Sequence, residues 1–207
     1  VASATGSCQF IIGVGGSKWI CGDSSFNLFD KDGNALGGGF SQDDDANLVA
    51  GGAAGASLDG SNACYNIFIG CNVGKNIDTG ACNVFLGKDA GESSSTGNDS
   101  SENIAIGHQA GQGLTDGDNN IFMGKEAGKN INTGGYNIAL GYEAGRYGCA
   151  KSHNISIGYH AGRHIGGHDK NVFIGYSAGK GSGTATDNVA ENNVALGTQS
   201  LESLTTG

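Results

Sequence analysis

Between Asn47 and Gly197 the chain repeats one nine-residue pattern, N-[LIV]-x-[AILM]-G-x-x-A-G, nine times in slightly varied form. The copies begin at Asn47, Asn66, Asn83, Asn103, Asn120, Asn137, Asn154, Asn171 and Asn193, so five of the eight intervals are 17 residues and the others are 19, 20 and 22. A period this short leaves no room for a strand, a crossover helix and a second strand. It matches one turn of a stacked coil, so an array is expected and not a globule.

Positions two and four of the pattern are aliphatic almost throughout, as in Ile67 and Ile69, Ile104 and Ile106, or Ile155 and Ile157. Alternation over a short stretch that ends in glycine is a strand signal. Position eight is alanine except at Val73 and Ser200, and glycine recurs at positions five and nine, which marks tight turns and not linker composition. The expected fold is all-β: a β-solenoid or β-roll of about nine 17-residue repeats across residues 47–207. Coils about 4.8 Å apart would give a rod on the order of 40 Å long. The leading asparagines recur in register and are expected to hydrogen-bond from coil to coil as a ladder.

Position three is the anomaly. It reads Val49, Phe68, Phe85, Ala105, Phe122, Ala139, Ser156, Phe173 and Ala195, so both sides of the strand are apolar. A coil of this size encloses only one side, and a strand apolar on both needs a second covering layer. The phenylalanine column is therefore expected to lie at an interface between copies of the chain.

The chain has 40 Gly, no Pro, only 11 Lys and Arg and a formal charge of −9, which disfavours nucleic acid and anionic membrane surfaces as partners. No apolar run has the length of a transmembrane helix, and no secretory signal is visible, so no membrane insertion is expected. Residues 1–46 differ in texture from the array. Cys8 to Gly13 resembles an imperfect copy, and Phe26 to Leu36 reads as a hairpin turning at Asp32-Gly33. The start at Val1 and the closing Thr205-Thr206-Gly207, a Thr-Gly that elsewhere precedes the next asparagine, give the expectation that the array continues beyond residue 207.

Several residues have the chemistry of candidate sites. Glu126 and Glu143 share position seven on consecutive coils, as a retaining glycosidase pair would require, but Lys125, Lys129 and Arg146 beside them favour a solvated charge ladder. Asp30, Asp32 and Asn34 open like a calcium loop, yet the closing Glu is missing and Asp-Gly favours a plain turn. His153, His160, His164 and His168 fall at different coil positions, which argues against a metal site. Tyr142, Tyr159 and Tyr176 share position six, where cross-coil packing is favoured over a sugar-binding strip. The six cysteines have no metal-ligand spacing. Cys64 and Cys82, 18 residues apart, are placed near each other on adjacent coils with no disulfide implied. No catalytic, cofactor-binding or metal-ligating residue is assigned, and the chain is expected not to be an enzyme.

Copies such as N-I-F-I-G-C-N-V-G, N-V-F-L-G-K-D-A-G and N-I-A-L-G-Y-E-A-G, with T-G before the next asparagine, resemble the repeats of bacteriophage tail-fibre and virion-fibre proteins, especially those of cyanophages. They are also similar to the S-V-A-I-G strands of trimeric autotransporter adhesin heads, whose repeat is shorter. The resemblance covers Asn47 to Gly197, about three quarters of the chain. It implies a homotrimeric structural fibre on a virion, extracellular, meeting a host cell-surface receptor such as a glycan. The alternatives are a bacterial cell-surface adhesin head and a glycan-cleaving tailspike. In the fibre reading the lengthened returns, Ser93 to Glu102 and Gly181 to Asn192, are free to vary and to touch the receptor.

Overall fold

A computed structural model describes residues 10–14, 18–22, 28–29, 41–42 and 45–203, excepting 60–61, 94, 96, 149–151, 165, 167–168 and 183–190. Strands β1 (Phe10–Val14), β2 (Lys18–Gly22) and β3 (Leu28–Phe29) form an antiparallel sheet in chain order. The stretch read as an imperfect copy of the repeat thus supplies β1, paired antiparallel with β2 and not stacked on a coil. The turn expected at Asp32-Gly33 lies outside the described residues.

The repeats build a parallel β-solenoid. After β4 (Ser41–Gln42) come nine three-residue strands: β5 (Leu48–Ala50), β6 (Ile67–Ile69), β7 (Val84–Leu86), β8 (Ile104–Ile106), β9 (Ile121–Met123), β10 (Ile138–Leu140), β11 (Ile155–Ile157), β12 (Val172–Ile174) and β13 (Val194–Leu196). They stack in chain order, each pair parallel and in register position for position, while β4 caps β5 antiparallel. Lengthened intervals leave the register untouched because the extra residues fall between copies. Asn98, in the 20-residue interval, still bridges Ile77, and its side chain donates to the Leu114 carbonyl at 2.6 Å. The return from Ser93 to Glu102 is therefore anchored at Asn98 and Ser100, both buried, while Ser95, Gly97 and Asp99 within it are exposed.

Coil-to-coil hydrogen bonding runs round the turns as well as along the strands. The position-five N–H donates to the position-four carbonyl of the preceding coil, as Gly141 to Met123 at 2.8 Å. The position-nine N–H donates to the position-eight carbonyl of the following coil, as Gly128 to Ala144 at 2.9 Å. At Gly141 the backbone has φ of 131°, and an added Cβ would stand 2.6 Å from the Gly158 carbonyl oxygen, so the coil spacing itself requires glycine there.

The asparagine ladder is continuous from Asn47 to Asn193. Each Oδ1 accepts both the backbone N–H and the side-chain amide of the next asparagine, for Asn120 and Asn137 at 2.9 and 3.0 Å. Most of these side chains are also tied to the main chain, as Asn120 Nδ2 donating to the Gly134 carbonyl at 2.9 Å. The ladder places polar groups in the interior with their hydrogen bonds satisfied, which makes their burial tolerable.

The interior holds the opposite strand face from the one expected. Phe68, Phe85, Phe122 and Phe173 are 0% exposed within the single chain. Phe68, Phe85 and Phe122 pack on the position-eight alanines and on a position-twelve column of Ile77, Leu114 and Ile131, with Leu58 partly buried against the same core, while Phe173 packs with Ala161, Ala178 and Ala195 in a second cluster. Phe68 and Phe85 stack at 5.1 Å. The phenylalanine column is thus the core of the coil, and the interface argument built on it fails. The geometry has a simple reason: the position-nine glycine leaves room for the ring, so that an added Cβ at Gly128 would lie 2.2 Å from Phe122.

Where the core residue is small the packing loosens. Ala139, Gly145, Gly148 and Ser156 line a small interior void, and the Ser156 hydroxyl, buried, has no hydrogen-bond partner among the described residues. Ser156→Ala is expected to raise the stability by about 1 kcal/mol, since it removes an unsatisfied buried hydroxyl. Calorimetric melting of the two proteins checks this, and a lower melting temperature for the variant would contradict it.

Candidate interaction surfaces

With position three inside, positions two and four point outward. Ile67, Ile69, Val84, Leu86, Ile104 and Ile106 are half-buried, covered only by their neighbours above and below. Met123 is 43% exposed, and on the last strand Val194 and Leu196 reach 72% and 73%. The result is a parallel sheet with two aliphatic columns on its outer side, at positions two and four, running from β6 to β13. Single exposed apolar residues are ordinary, and a contiguous face of this kind is the candidate interaction surface of the rod.

This face has polar margins. The residue before each asparagine is exposed in most coils, as are Tyr65, Cys82, Glu102, Tyr136, His153 and Lys170. Position six is exposed or half-buried, running Cys71, Lys88, His108, Lys125, Tyr142, Tyr159 and Tyr176. The three tyrosines stack at 5.0 and 5.3 Å, and Lys125 stands over Tyr142 at 5.6 Å. Ring faces within such a stack are covered by their neighbours, which fits cross-coil packing and leaves little face for a sugar to lie against.

Behind the position-six column runs an ion-pair ladder. Position seven is left-handed, with φ of 57° at Glu126 and 50° at Glu143, and turns both carboxylates back over the coil edge. Arg146 bridges them, its Nη2 2.8 Å from Glu126 and its Nη1 donating to Glu143 at 3.2 Å. Arg163 pairs with Glu143 from the next coil, and His160 Nε2 lies 3.3 Å from the same carboxylate. Lys125 and Lys129 complete the surroundings of Glu126 at 3.8 and 3.9 Å. Both glutamates are buried, at 9% and 6% exposure, so the solvated ladder expected from sequence is instead a covered one. Burial alone would raise the Glu143 carboxyl, but Arg163 and Arg146, aided by Tyr142 and His160, hold it below its ordinary value. A glycosidase acid needs the reverse shift and open access, so the arrangement suits cross-bracing of coils.

Burial, reinforced by Arg163, pushes both His160 and His164 below the ordinary imidazole value of 6.5, although Glu143 alone would raise them. A histidine whose folded pKa is depressed stabilises the fold above its unfolded pKa, and that contribution is lost as pH falls. Glu143, also depressed, keeps its contribution above about 4.5 and loses it below. Melting temperature is therefore expected to decline as pH falls from about 7 through 6, with a second decline below about 4.5. Thermal scans from pH 8 to pH 3 check this, and the decline around pH 6 is expected to shrink in a His160→Gln, His164→Gln variant.

The remaining candidates are dispersed. His153 stacks on Tyr136 at 5.1 Å and His164 on Tyr147 at 4.9 Å, while His160 lies tilted against Tyr159 at 4.0 Å, each on a different column; His168 lies outside the described residues. So do Asp30, Asp32 and Asn34. Among the described residues no three histidine, cysteine or acidic side chains are grouped to hold a metal ion, and no helix is long and apolar enough to cross a membrane. Cys64 and Cys82 are neighbours through the backbone, the Cys82 N–H donating to the Cys64 carbonyl at 2.9 Å, and both thiols are free. No family model, curated protein or solved structure matches the chain.

Proposed function

We propose that this chain is a structural rod segment of a virion fibre, a phage tail fibre or related appendage, in which copies associate side by side, three together, and present a host-recognition surface. The observation that carries the reading is the outward aliphatic face, too long and too apolar to serve a solitary rod in water. Continuous coil-to-coil hydrogen bonding and the asparagine ladder support a mechanical role, because they oppose bending and deny a protease any extended segment. The role is adhesive and non-catalytic, the ion-paired glutamates bracing coils.

Gold-labelled antibodies against the purified chain, applied to negatively stained phage lysates, test the assignment. Label along the appendages of phage particles is the expected result. Label on bacterial envelopes with bare particles would replace the fibre reading by the surface-adhesin one.

A further inference from the structure

Resting on the host-recognition role just proposed, we infer that an open groove beside Lys180 binds an acidic sugar, a hexuronic acid residue of a surface polysaccharide, by its carboxylate. The groove measures about 530 Å³ and is lined by Arg163, His164 and Lys180 together with Ser182, Glu202 and Ser203. Its volume falls within the roughly 300 to 1,000 Å³ of small-molecule sites.

Two features of the repeat produce it. The first is a break in the cross-coil charge ladder. Position ten of each coil meets position seven of the coil before: Lys129 bonds Gln109 at 2.9 Å, Arg146 pairs with Glu126 at 2.8 Å, and Arg163 pairs with Glu143. One coil further the cation is Lys180, but position seven is His160. The acidic column has ended and the basic column has not. Over positions six, seven and ten of the last five coils, five lysines and arginines stand against three glutamates, on a chain whose formal charge is −9. Burial, and then the positive field of Arg163 and Lys180, keep His160 and His164 below the ordinary imidazole value. Lys180 pairs with Glu202 at 3.6 Å, with the two side chains 33% and 31% exposed. So exposed a pair contributes little and yields readily to a competing carboxylate.

The second feature is the position-eleven column. The Tyr147 and His164 rings stack at 4.9 Å, and the next residue of that column is Gly181, which has no side chain to continue the stack. The space a third ring would fill is the groove, with the imidazole on its wall. A hexuronic acid satisfies these walls. Its carboxylate replaces Glu202 at Lys180 with Arg163 alongside, and charge-assisted bonds of this kind are the strong ones. Ser182 and Ser203 serve the ring hydroxyls, and the released Glu202 accepts from another. The apolar face of the pyranose lies against the His164 ring.

Calorimetric titration of the full chain with trisaccharides of galacturonate, glucuronate and mannuronate in turn tests the site. At least one should bind, and its methyl ester, similar in shape but uncharged, should not. Lys180→Gln should weaken binding about tenfold or more, the loss of one charge-assisted bond. Glu202→Gln should strengthen it several-fold, because the carboxylate competing for Lys180 is gone. Lys125→Gln removes the same charge from the same edge, three coils away, and should leave the affinity near wild type. Circular dichroism checks that each variant is folded. Gly181→Asn gives an independent readout. Asn76 and Asn130 occupy the same column at φ of 72° and 70°, close to the 75° of Gly181, so the added side chain should fit the backbone and block the groove with every charge in place. Binding by none of the three sugars, equal losses in Lys180→Gln and Lys125→Gln, or an affinity no better than that for acetate would overturn the site. Labelled phage appendages with an inert groove would keep the fibre and strike the site, whereas bare appendages with a binding groove would strike the fibre and keep the site.

Discussion

Replacing Ile138 and Leu140 together by Asp is expected to convert the assembled protein into a folded monomer. Both side chains lie on the outer face of β10, half-buried and away from the core. In an assembly each would lose only its remaining exposure, a contribution of roughly 0.8 to 1.5 kcal/mol per side chain, about half of that for a fully exposed one. Removing two per interface weakens association by about 1.5 to 3 kcal/mol, or one to two orders of magnitude in Kd, before the cost of burying carboxylates is added. Light scattering gives the mass, and circular dichroism should remain that of the wild type. Phe122→Asp provides the contrast. Its ring is 0% exposed inside the coil, so this substitution should unfold the central repeats and not merely separate copies. A Phe122→Asp protein that is folded and monomeric would return the interface to position three.

The two substitutions exchange roles because of what the sequence does and does not encode. Alternation in Ile67-Phe68-Ile69 or Ile121-Phe122-Met123 specifies a strand with two apolar sides, and in-register asparagines specify a stack; both are present as read. Which side faces inward depends on how the chain turns at either end of the strand. Those turns use left-handed residues with no glycine signature: Cys82, Glu102, Tyr136 and His153 before the asparagine, and Asp89, Glu126 and His160 at position seven. Their φ values near 60° are dictated by the hydrogen bonds of the neighbouring coils, not by local preference. One signal was available. Leu58, Ile77, Leu114 and Ile131 recur eight residues after position four and supply the far wall of the core. With alanine at position eight, that wall leaves a space which only a large position-three side chain fills.

Burial of Glu126 and Glu143 is not legible along the chain for a related reason. The arginines that cover them, Arg146 and Arg163, each stand 20 residues further on, one coil and three positions away. Within their own coils the glutamates look like surface charges. A cross-coil reading of positions seven and ten together, in which Lys129 at position ten bonds Gln109 at position seven and Gln112 bonds Glu92 between two position-ten sites, reveals a braced edge along the middle of the rod.

Asn137→Ala should cause the largest loss of stability among single changes to the ladder's centre. Its Oδ1 accepts the Asn154 N–H at 3.0 Å and the Asn154 amide at 3.3 Å, and its own Nδ2 donates to Asn120 at 3.0 Å. Alanine leaves the buried Asn154 N–H without that acceptor, while the Asn154 amide keeps the Ser152 carbonyl at 3.3 Å and Asn120 Oδ1 keeps the residue-137 N–H at 2.9 Å. At about 1 to 3 kcal/mol for the buried N–H left unsatisfied and about 0.5 to 1 kcal/mol for each of the two other bonds lost, the total is roughly 2 to 5 kcal/mol. Because each coil contacts only its neighbours, the damage should centre on coils 120–170 and not spread evenly. Hydrogen exchange is the appropriate measurement: protection of the Ile138, Ile155 and Asn154 amides should collapse while that of Ile67 and Val84 persists. Uniform loss along the whole array would mean that the rod melts as one cooperative unit, and equal protection in both proteins would mean that the asparagine column merely occupies space.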